Sequence, residues 1–250
     1  MKTHSILFPV VLLAAAFSFA SCDDTVNKLT SMVMDKSIVY EREDTEKWGE
    51  VIDRDLDLPA FSAIDASGAV AIVFAQDSIC SVRAHGNEKC LDAYRFEVRK
   101  NELEVKLKKG ADRINRNTPG VILYVTAPSL TDVETAGGCK IEMQGNIEMP
   151  GKMDIEMAGA GILDVDTLSV EDLDLTANGA VRCNIAKLTA KNDVEIEVNG
   201  AGKFNANLFC NELNVEFNGA ASGVISGECN NYNCENNGAC KIDFSNMKTK

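Results

Sequence analysis

Histidine, tryptophan and positive charge are scarce in this chain of 250 residues, and each scarcity excludes a class of function. The histidines are His4 and His85, and His4 lies in a segment that we expect to be removed, so histidine-based metal sites and catalytic relays are nearly excluded. The 25 bases against 38 acids give a net charge of -13, so a phosphate-coating protein is not expected and nucleic acid is not an expected partner. Trp48 is the only tryptophan, which leaves few large aromatic platforms for a ligand.

Apolar residues make up 45% of the sequence, enough for a packed core, yet only one long apolar run occurs. That run, residues 6–19, is too short to span a bilayer and has the length of a secretory signal. It leads into the sequence FASC, which resembles the lipobox of bacterial lipoproteins, in which the cysteine is lipidated and becomes the new N-terminus. We therefore predict a signal peptide over residues 1–21 and lipidation of Cys22. The alternative is an ordinary signal peptide followed by an incidental cysteine.

The residues after Cys22 bear on the cellular location of the protein. Asp23 and Asp24 resemble an inner-membrane retention signal of enteric bacteria, but they also resemble a surface-export signal of other Gram-negative groups. We favour a lipid anchor in the outer membrane with the protein facing outward at the cell surface. Residues 22–47 are polar and lack strand alternation, which is typical of a flexible tether.

A repeat of about twenty residues is the main feature of the sequence. Asn-Gly-Ala recurs four times, and two earlier Ala-Gly copies extend the series. The central glycines, spaced by 22, 20, 21, 19 and 19 residues, are Gly137, Gly159, Gly179, Gly200, Gly219 and Gly238.

Residues on both sides of each glycine alternate between apolar and polar, as in a strand with one buried face. The positions two and four before the glycine are mostly apolar, whereas the position three before it is polar in every copy. Because one unit cannot bury its own apolar face, we predict that the units stack about 4.8 Å apart into an all-β fold, a right-handed parallel β-solenoid. The glycine permits the bend, and the asparagine amides can hydrogen-bond from coil to coil. The alternative is an antiparallel sandwich with Asn-Gly hairpin turns.

The region before the repeats is predicted to close one end of the solenoid as an antiparallel elaboration. Residues 61–74 resemble a further repeat with its bend at Gly68. A hairpin is expected with its tip at Lys100-Asn101. A slip of about one residue is expected near Ser222-Gly223. The expected strands of the elaboration are residues 79–84, 96–100, 103–107 and 121–126.

The sequence FSAIDASG at residues 61–68, the charged hairpin and the series of strand-Gly-Ala-strand units together resemble a known family. This is the family called putative auto-transporter adhesin, head GIN domain, and the resemblance covers residues 48–246. It implies a β-helix-like domain on a secreted or lipid-anchored protein. It offers no catalytic residues to carry over.

Three glutamates at the polar position before the glycine are candidates for weak cation binding. Glu197, Glu216 and Glu235 occupy the same place in three consecutive units, so their carboxylates should lie about 5 Å apart. Calcium, which prefers several carboxylate oxygens, would relieve the repulsion between like charges. The alternative is three solvated side chains whose repulsion is screened by salt. No cofactor is expected.

Eight cysteines remain after Cys22, and an even number in an exported protein allows disulfides. We instead expect buried and mostly reduced cysteines, because Cys139, Cys183, Cys234 and Cys240 fall at apolar positions of the repeat. A zinc site is not expected, since paired Cys-x2-Cys spacing is absent.

Charge is distributed unevenly along the chain. Residues 95–116 hold eight bases and four acids, whereas residues 128–250 hold 19 acids and nine bases. A basic hairpin beside an acidic solenoid could bind an anionic ligand or allow self-association. The alternative is an edge strand protected by its charges.

Our first functional hypothesis is a non-catalytic, lipid-anchored surface protein of a Gram-negative bacterium, whose rigid solenoid serves adhesion to an extracellular protein or glycan. The second is a carbohydrate-active enzyme, a polysaccharide lyase or glycosidase, since paired acids serve such chemistry on other β-helices. The third is a purely structural envelope component. A groove-lining carboxylate with a strongly raised pKa would favour the enzyme, and a flat exposed acidic face would favour presentation.

Overall fold

The computed structural model describes residues 45–111 and 119–250, almost all of them in β-strands. The predicted signal peptide, Cys22 and most of the tether lie outside these residues. Within them, neither helix is long and apolar enough to cross a membrane. The helices are α1 (Thr45–Trp48) and α2 (Glu88–Ala93). The strands are β1 (Val51–Leu56), β2 (Ala63–Gln76), β3 (Ser81–Asn87), β4 (Tyr94–Arg99), β5 (Glu102–Leu107), β6 (Val121–Ala127), β7 (Asp132–Glu148), β8 (Lys152–Val170), β9 (Asp172–Ala190), β10 (Asp193–Phe209), β11 (Glu212–Cys229), β12 (Asn231–Gly238), β13 (Lys241–Asp243) and β14 (Met247–Thr249).

The predicted solenoid is confirmed. Strands β2 and β7 to β11 are successive coils that pair in parallel, and β12, β13 and β14 together form the last coil against β11. The parallel pairing contradicts the antiparallel sandwich. The repeat glycines stand directly opposite one another from coil to coil, and Gly68 heads their row.

The glycine row is a consequence of backbone packing. Gly200 has φ +138°, a region that side chains rarely adopt. A Cβ placed on it would lie 2.1 Å from the carbonyl oxygen of Gly179 in the preceding coil. Since the same contact recurs at Gly179 and Gly219, only glycine fits at this bend in these coils.

The interior is apolar, as the alternation predicts. The positions two and four before each glycine are buried in β7 to β11, and the core forms one continuous cluster along the solenoid. Thr135 is a buried polar exception, and its hydroxyl donates to the carbonyl of Glu156 at 3.4 Å. Each buried Leu, Ile or Val contributes about 1.5–3 kcal/mol to the stack.

The expected slip near Ser222-Gly223 is wrong. Strand β11 pairs with β10 without interruption, and Gly223 stands opposite Phe204. A Cβ at Gly223 would collide with the carbonyl of Phe204, so a glycine keeps the register here instead of breaking it. As a result Val224 points outward and is 40% exposed, which produced the apparent slip in the apolar pattern.

The N-terminal elaboration lies on the free edge of β2, opposite β7. Strand β5 pairs with the first part of β2 and β6 with its second part, and β1, β3 and β6 pair antiparallel beside them. The β4–β5 hairpin turns at Lys100 and Asn101, which both have positive φ, as predicted. Strand β3 starts two residues later than expected, because Ile79 lies in the preceding turn and is 68% exposed.

Helix α2, which the sequence pattern did not predict, ends directly before Tyr94. Tyr94 lies beside Gly68, the first glycine of the row. Cys90 and Leu91 of the helix are buried. The Tyr94 hydroxyl accepts a hydrogen bond from the backbone N–H of Ala69 at 3.0 Å. It also occupies the space beside Gly68 that a glycine carbonyl fills in the later coils. Tyr94 therefore ends the row where no earlier coil exists.

Candidate functional site: an acidic face beside a basic row

One face of the solenoid carries two columns of carboxylates. They are the outward-facing residues three and five positions before the glycine row, and successive coils place them in register. Strand β5 continues the same columns at the N-terminal end with Glu102 and Glu104. We call this surface the acidic face, and its members in the coils are Asp65, Asp132, Glu134, Asp154, Glu156, Asp174, Glu195, Glu197, Glu216 and Glu235.

The structure places Glu197, Glu216 and Glu235 side by side in this face, as predicted. Glu197 accepts a hydrogen bond from the Asn199 amide at 2.7 Å, and Glu216 accepts one from the Asn218 amide at 2.9 Å. Two of the three carboxylates are thus engaged by their own coils. Across residues 45–111 and 119–250, no group of three or more His, Cys, Asp or Glu side chains is arranged to hold a metal ion. Weak calcium binding stays a prediction.

An asparagine ladder runs beside the acidic face. The side-chain amide of Asn199 donates to Asn178 at 2.9 Å, Asn218 donates to Asn199 at 2.8 Å, and Asn237 donates to Asn218 at 2.9 Å. The predicted coil-to-coil amide bonding is confirmed. Because the same amides also bind Glu197 and Glu216, the ladder fixes the direction of those carboxylates.

A second ladder lies beyond the glycine row and was not predicted. The amide of Asn184 donates to Asp164 at 2.9 Å, and that of Asn205 donates to Asn184 at 3.2 Å. These residues share the position five after the glycine, so tabulating that column of the repeat would have found them.

The N-terminal part of the acidic face has the most perturbed carboxyl groups. Desolvation, followed by the charge of Asp154, raises the pKa of Asp132. Desolvation, followed by the charge of Asp65, raises the pKa of Glu134. Lys152 offsets part of this repulsion further along, because its ammonium contacts Asp154 at 2.8 Å and also Asp174.

The basic hairpin is bonded to the acids of its own chain. Lys106 pairs with Asp65 of the first coil, and Arg95 contacts Glu97 at 2.7 Å and Glu104 at 3.2 Å. Hairpin and acidic face therefore form one continuous surface on which the bases offset charge at one end.

A basic row, which sequence analysis missed, lies on the other side of the glycines. It occupies the position three after four of the repeat glycines, Gly137, Gly179, Gly200 and Gly238. Lys140 of this row contacts Glu142 at 2.5 Å and lowers the pKa of that carboxyl group. The bend at the glycine row thus separates an acidic face from a row of bases. The members of the basic row are Lys140, Arg182, Lys203 and Lys241.

A shallow groove of about 300 Å³ follows the acidic face across β9 to β12. Its walls include Asp174, Glu195, Glu197 and Glu216. It crosses several coils, and its carboxylates would favour an extended and positively charged ligand.

All eight cysteines of the described residues are free thiols, but the expected burial holds for Cys139 and Cys183 and is wrong for Cys234 and Cys240, which are half-buried in the last coil. Burial raises the pKa of Cys139 to about 11 and raises that of the enclosed Cys183 as well. Such thiols stay protonated near neutral pH and behave as small apolar side chains.

Comparison with a family model decides the relationship of this chain to known proteins. The model called putative auto-transporter adhesin, head GIN domain matches residues 60–186 and again residues 175–250, which is most of the chain. The chain belongs to this head GIN domain family. The double match reflects the repeated coils, since each match covers several of them.

The first of the following solved structures shows the same fold as this head GIN domain. A putative adhesin from Bacteroides fragilis is 18% identical with a TM-score of 0.58, and the match covers 78% of this chain and 96% of that one. A putative adhesin from Parabacteroides distasonis is 13% identical with a TM-score of 0.49, covering 80% and 95%. A putative lipid binding protein from the same species is 15% identical with a TM-score of 0.48, covering 78% and 96%. The search of curated proteins gives no significant match.

Proposed function

We propose that this head GIN domain is a non-catalytic adhesin at the surface of a Gram-negative bacterium, held to the outer membrane by lipid on Cys22. The observation that carries the proposal is the acidic face, whose carboxylates are held in register by parallel pairing along the length of the solenoid. Membership of the adhesin-like family supports the same function.

The placement of the perturbed carboxyl groups favours presentation over catalysis. Asp132 and Glu134 have raised pKa values, yet both side chains are exposed on the open face. A general acid for glycoside cleavage is instead held in a water-excluding pocket beside a second carboxylate of different role.

The partner that best fits is a protein with an extended basic segment. The groove along β9 to β12 is lined by carboxylates of consecutive coils, so cationic side chains of an extended chain would meet them repeatedly. A glycan is the alternative ligand, and calcium would compete with a cationic partner for the same carboxylates.

The first test is binding of the purified protein to arrays of extracellular-matrix proteins and glycans, with and without calcium. The variant Glu197→Gln/Glu216→Gln/Glu235→Gln removes three charges from the groove and should weaken protein binding at least tenfold at low salt. The matched control removes three charges elsewhere, at Glu148, Glu171 and Glu212, and should bind as the unchanged protein does. Equal loss in both variants would contradict the proposed surface, and selective glycan capture would contradict the proposed class of partner.

The second test concerns the anchor. Cys22→Ser should abolish incorporation of labelled fatty acid and release the protein from the membrane fraction, because a single covalent lipid is the proposed attachment. Protease added to intact cells should digest the unchanged protein. Membrane retention of the Cys22→Ser variant would refute the anchor, and protection from protease would refute the outward orientation.

A further inference from the structure

The last coil of the solenoid has an open edge. Strand β12 pairs with β11 on one side, and in residues 45–111 and 119–250 no strand covers its other side. An edge strand of this kind offers a row of backbone N–H and C=O groups to another strand. The core is also incompletely covered here, since Tyr232 is 44% exposed and Cys234, Ile242 and Phe244 are half-buried.

The β1 and β12 edges of the sheet differ in their protection. Strand β1, at the N-terminal edge, carries alternating charges, and Arg54 bonds to Asp92 while Asp55 bonds to Arg83. Such charges discourage pairing with another chain. Strand β12 is rich in asparagine, and Glu235 is its only charged residue. Residues 231–250 hold three lysines and two acids, so this end lacks the strong negative charge of the other coils.

We propose that the open edge of β12 pairs antiparallel with the same edge of a second copy of this chain, forming an end-to-end dimer with twofold symmetry. Residues directly opposite in an antiparallel pair point to the same face. The symmetric registers that pair the most residues of β12, seven of its eight, are centred on the inward-facing Cys234 or on the outward-facing Glu235.

Charge selects between these two registers. Centring on Glu235 would place two carboxylates directly opposite each other, which is destabilising. Centring on Cys234 places Glu235 opposite Asn233 of the second copy, twice by symmetry. It also places Asn231 opposite Asn237 of the second copy, where one amide can donate to the other as the amides do within the ladder. The register centred on Cys234 is the one we assign.

A second copy suits this edge because it supplies an equally neutral, asparagine-rich strand. It would also cover the exposed Tyr232 and the half-buried Ile242 and Phe244 at the end of the core. The dimer would place two acidic faces on one elongated body. The inference does not depend on adhesion, since it rests on the last coil alone.

The experiment is sedimentation velocity over a concentration series in reducing buffer, using the full chain with Cys22→Ser so that no lipid drives association. A reversible dimer is expected. Asn233→Glu places two pairs of like charges across the interface and should raise the dissociation constant about tenfold. Asn233→Lys places two pairs of opposite charges there and should lower it. Asn233→Glu/Glu235→Lys should restore dimerisation, because each glutamate then faces a lysine.

Asn214→Glu is the matched control. Asn214 stands opposite Asn233 in the coil beneath, on the same face, so the variant adds the same charge away from the edge and should leave the dissociation constant unchanged. Circular dichroism melts check that each variant is folded. A monomer at all concentrations would overturn the proposal, as would a change of the same sign for Asn233→Glu and Asn233→Lys. Dimerisation that fails to return in the double variant would overturn the register.

Discussion

The two ends of the solenoid differ, because one is capped whereas no strand of the described residues covers the other, and the difference shows what a stack of repeats lacks by itself. At the N-terminal end, β5 and β6 cover the free edge of β2, and the Tyr94 hydroxyl fills the space beside Gly68. At the C-terminal end, Gly238 packs on Gly219 but no described coil packs on Gly238. Unique sequence caps the first end, whereas the described part of the second end is the repeat itself. We therefore expect local opening to begin at the last coil.

Substitutions in the glycine row should cause the largest loss of unfolding free energy, and the loss should depend on the position of the glycine. Gly200→Ala forces a Cβ to 2.1 Å from the Gly179 carbonyl at φ +138°, and should cost about 3–5 kcal/mol of unfolding free energy. Gly238→Ala meets a similar clash, but the last coil can separate from β11, so the global loss should stay under about 2 kcal/mol. Urea unfolding measures both.

Gly145→Ala is the matched control for strain alone. Gly145 has φ +78° and no atom within 4 Å of an added Cβ, so the loss should be about 1 kcal/mol. If Gly200→Ala cost no more than Gly145→Ala, the close backbone contact would not be the reason for the row.

Removing the Tyr94 hydroxyl at the N-terminal end of the glycine row should cause the next largest loss of unfolding free energy. Tyr94→Phe leaves the half-buried Ala69 N–H without its partner and should cost about 2 kcal/mol. Burial raises the pKa of Tyr94 to about 12, so the phenol stays protonated and the loss should not vary between pH 6 and pH 9. Tyr124→Phe, at a residue that is 45% exposed, should change stability by less than about 0.5 kcal/mol. Equal losses in the two variants would contradict a special role for Tyr94.

Substitutions in the asparagine ladder should cost less unfolding free energy, and the cost should be larger in the middle of the solenoid than at its end. Asn199→Ala removes bonds to Asn178, Asn218 and Glu197, and should cost about 1.5 kcal/mol. Asn237→Ala removes one exposed bond to Asn218 and should cost about 0.5 kcal/mol. Hydrogen exchange should confirm the gradient through faster exchange in β12 than in β10. Equal losses would mean that the amides act singly and not as a ladder.

The smallest expected effect is on the pH dependence of the melting temperature. The folded pKa of Asp132 lies above its unfolded value, so the charged carboxylate destabilises the folded state. As the pH falls, the folded state takes up the proton first, and this destabilisation disappears. Asp132→Asn should therefore raise the melting temperature slightly at pH 7, and this gain should fade towards pH 4. Glu142 has a lowered pKa, first because of its hydrogen bond to Lys140, so Glu142→Gln should have the opposite sign at pH 7. Shifts of the same sign in the two variants would contradict the pKa directions.

Much of the candidate site could be predicted because it follows the repeat. The glutamate column and the asparagine ladder are regular in sequence, and parallel pairing carries sequence position directly into space. The basic row escaped notice because Ile162 and Ser222 interrupt it, although Lys140 and Arg182 share its offset from the glycine. The pairing of the hairpin bases with acids of the first coil needed the topology, since Lys106 and Asp65 lie far apart in sequence.

Errors in the fold prediction arose where tertiary contacts overrode the local pattern. The pattern around Gly223 suggested a slip, but the carbonyl of Phe204 requires a glycine there and the register continues. Helix α2 was missed because it is short, and Asn87 before it bonds to the carbonyl of Gly49 instead of capping the helix.

The amino-acid sequence by itself determined the coil: its length, its bend, its inward and outward faces and the ladders on its surface. These properties are local, because they follow from a period of about twenty residues with alternating polarity. Only the tertiary structure decided how the stack ends, with residues 77–111 and 119–127 folded back over the edge of β2 and, among the described residues, no strand on the far edge of β12. An end has no neighbouring repeat to specify it, so its form depends on contacts between residues far apart in the chain.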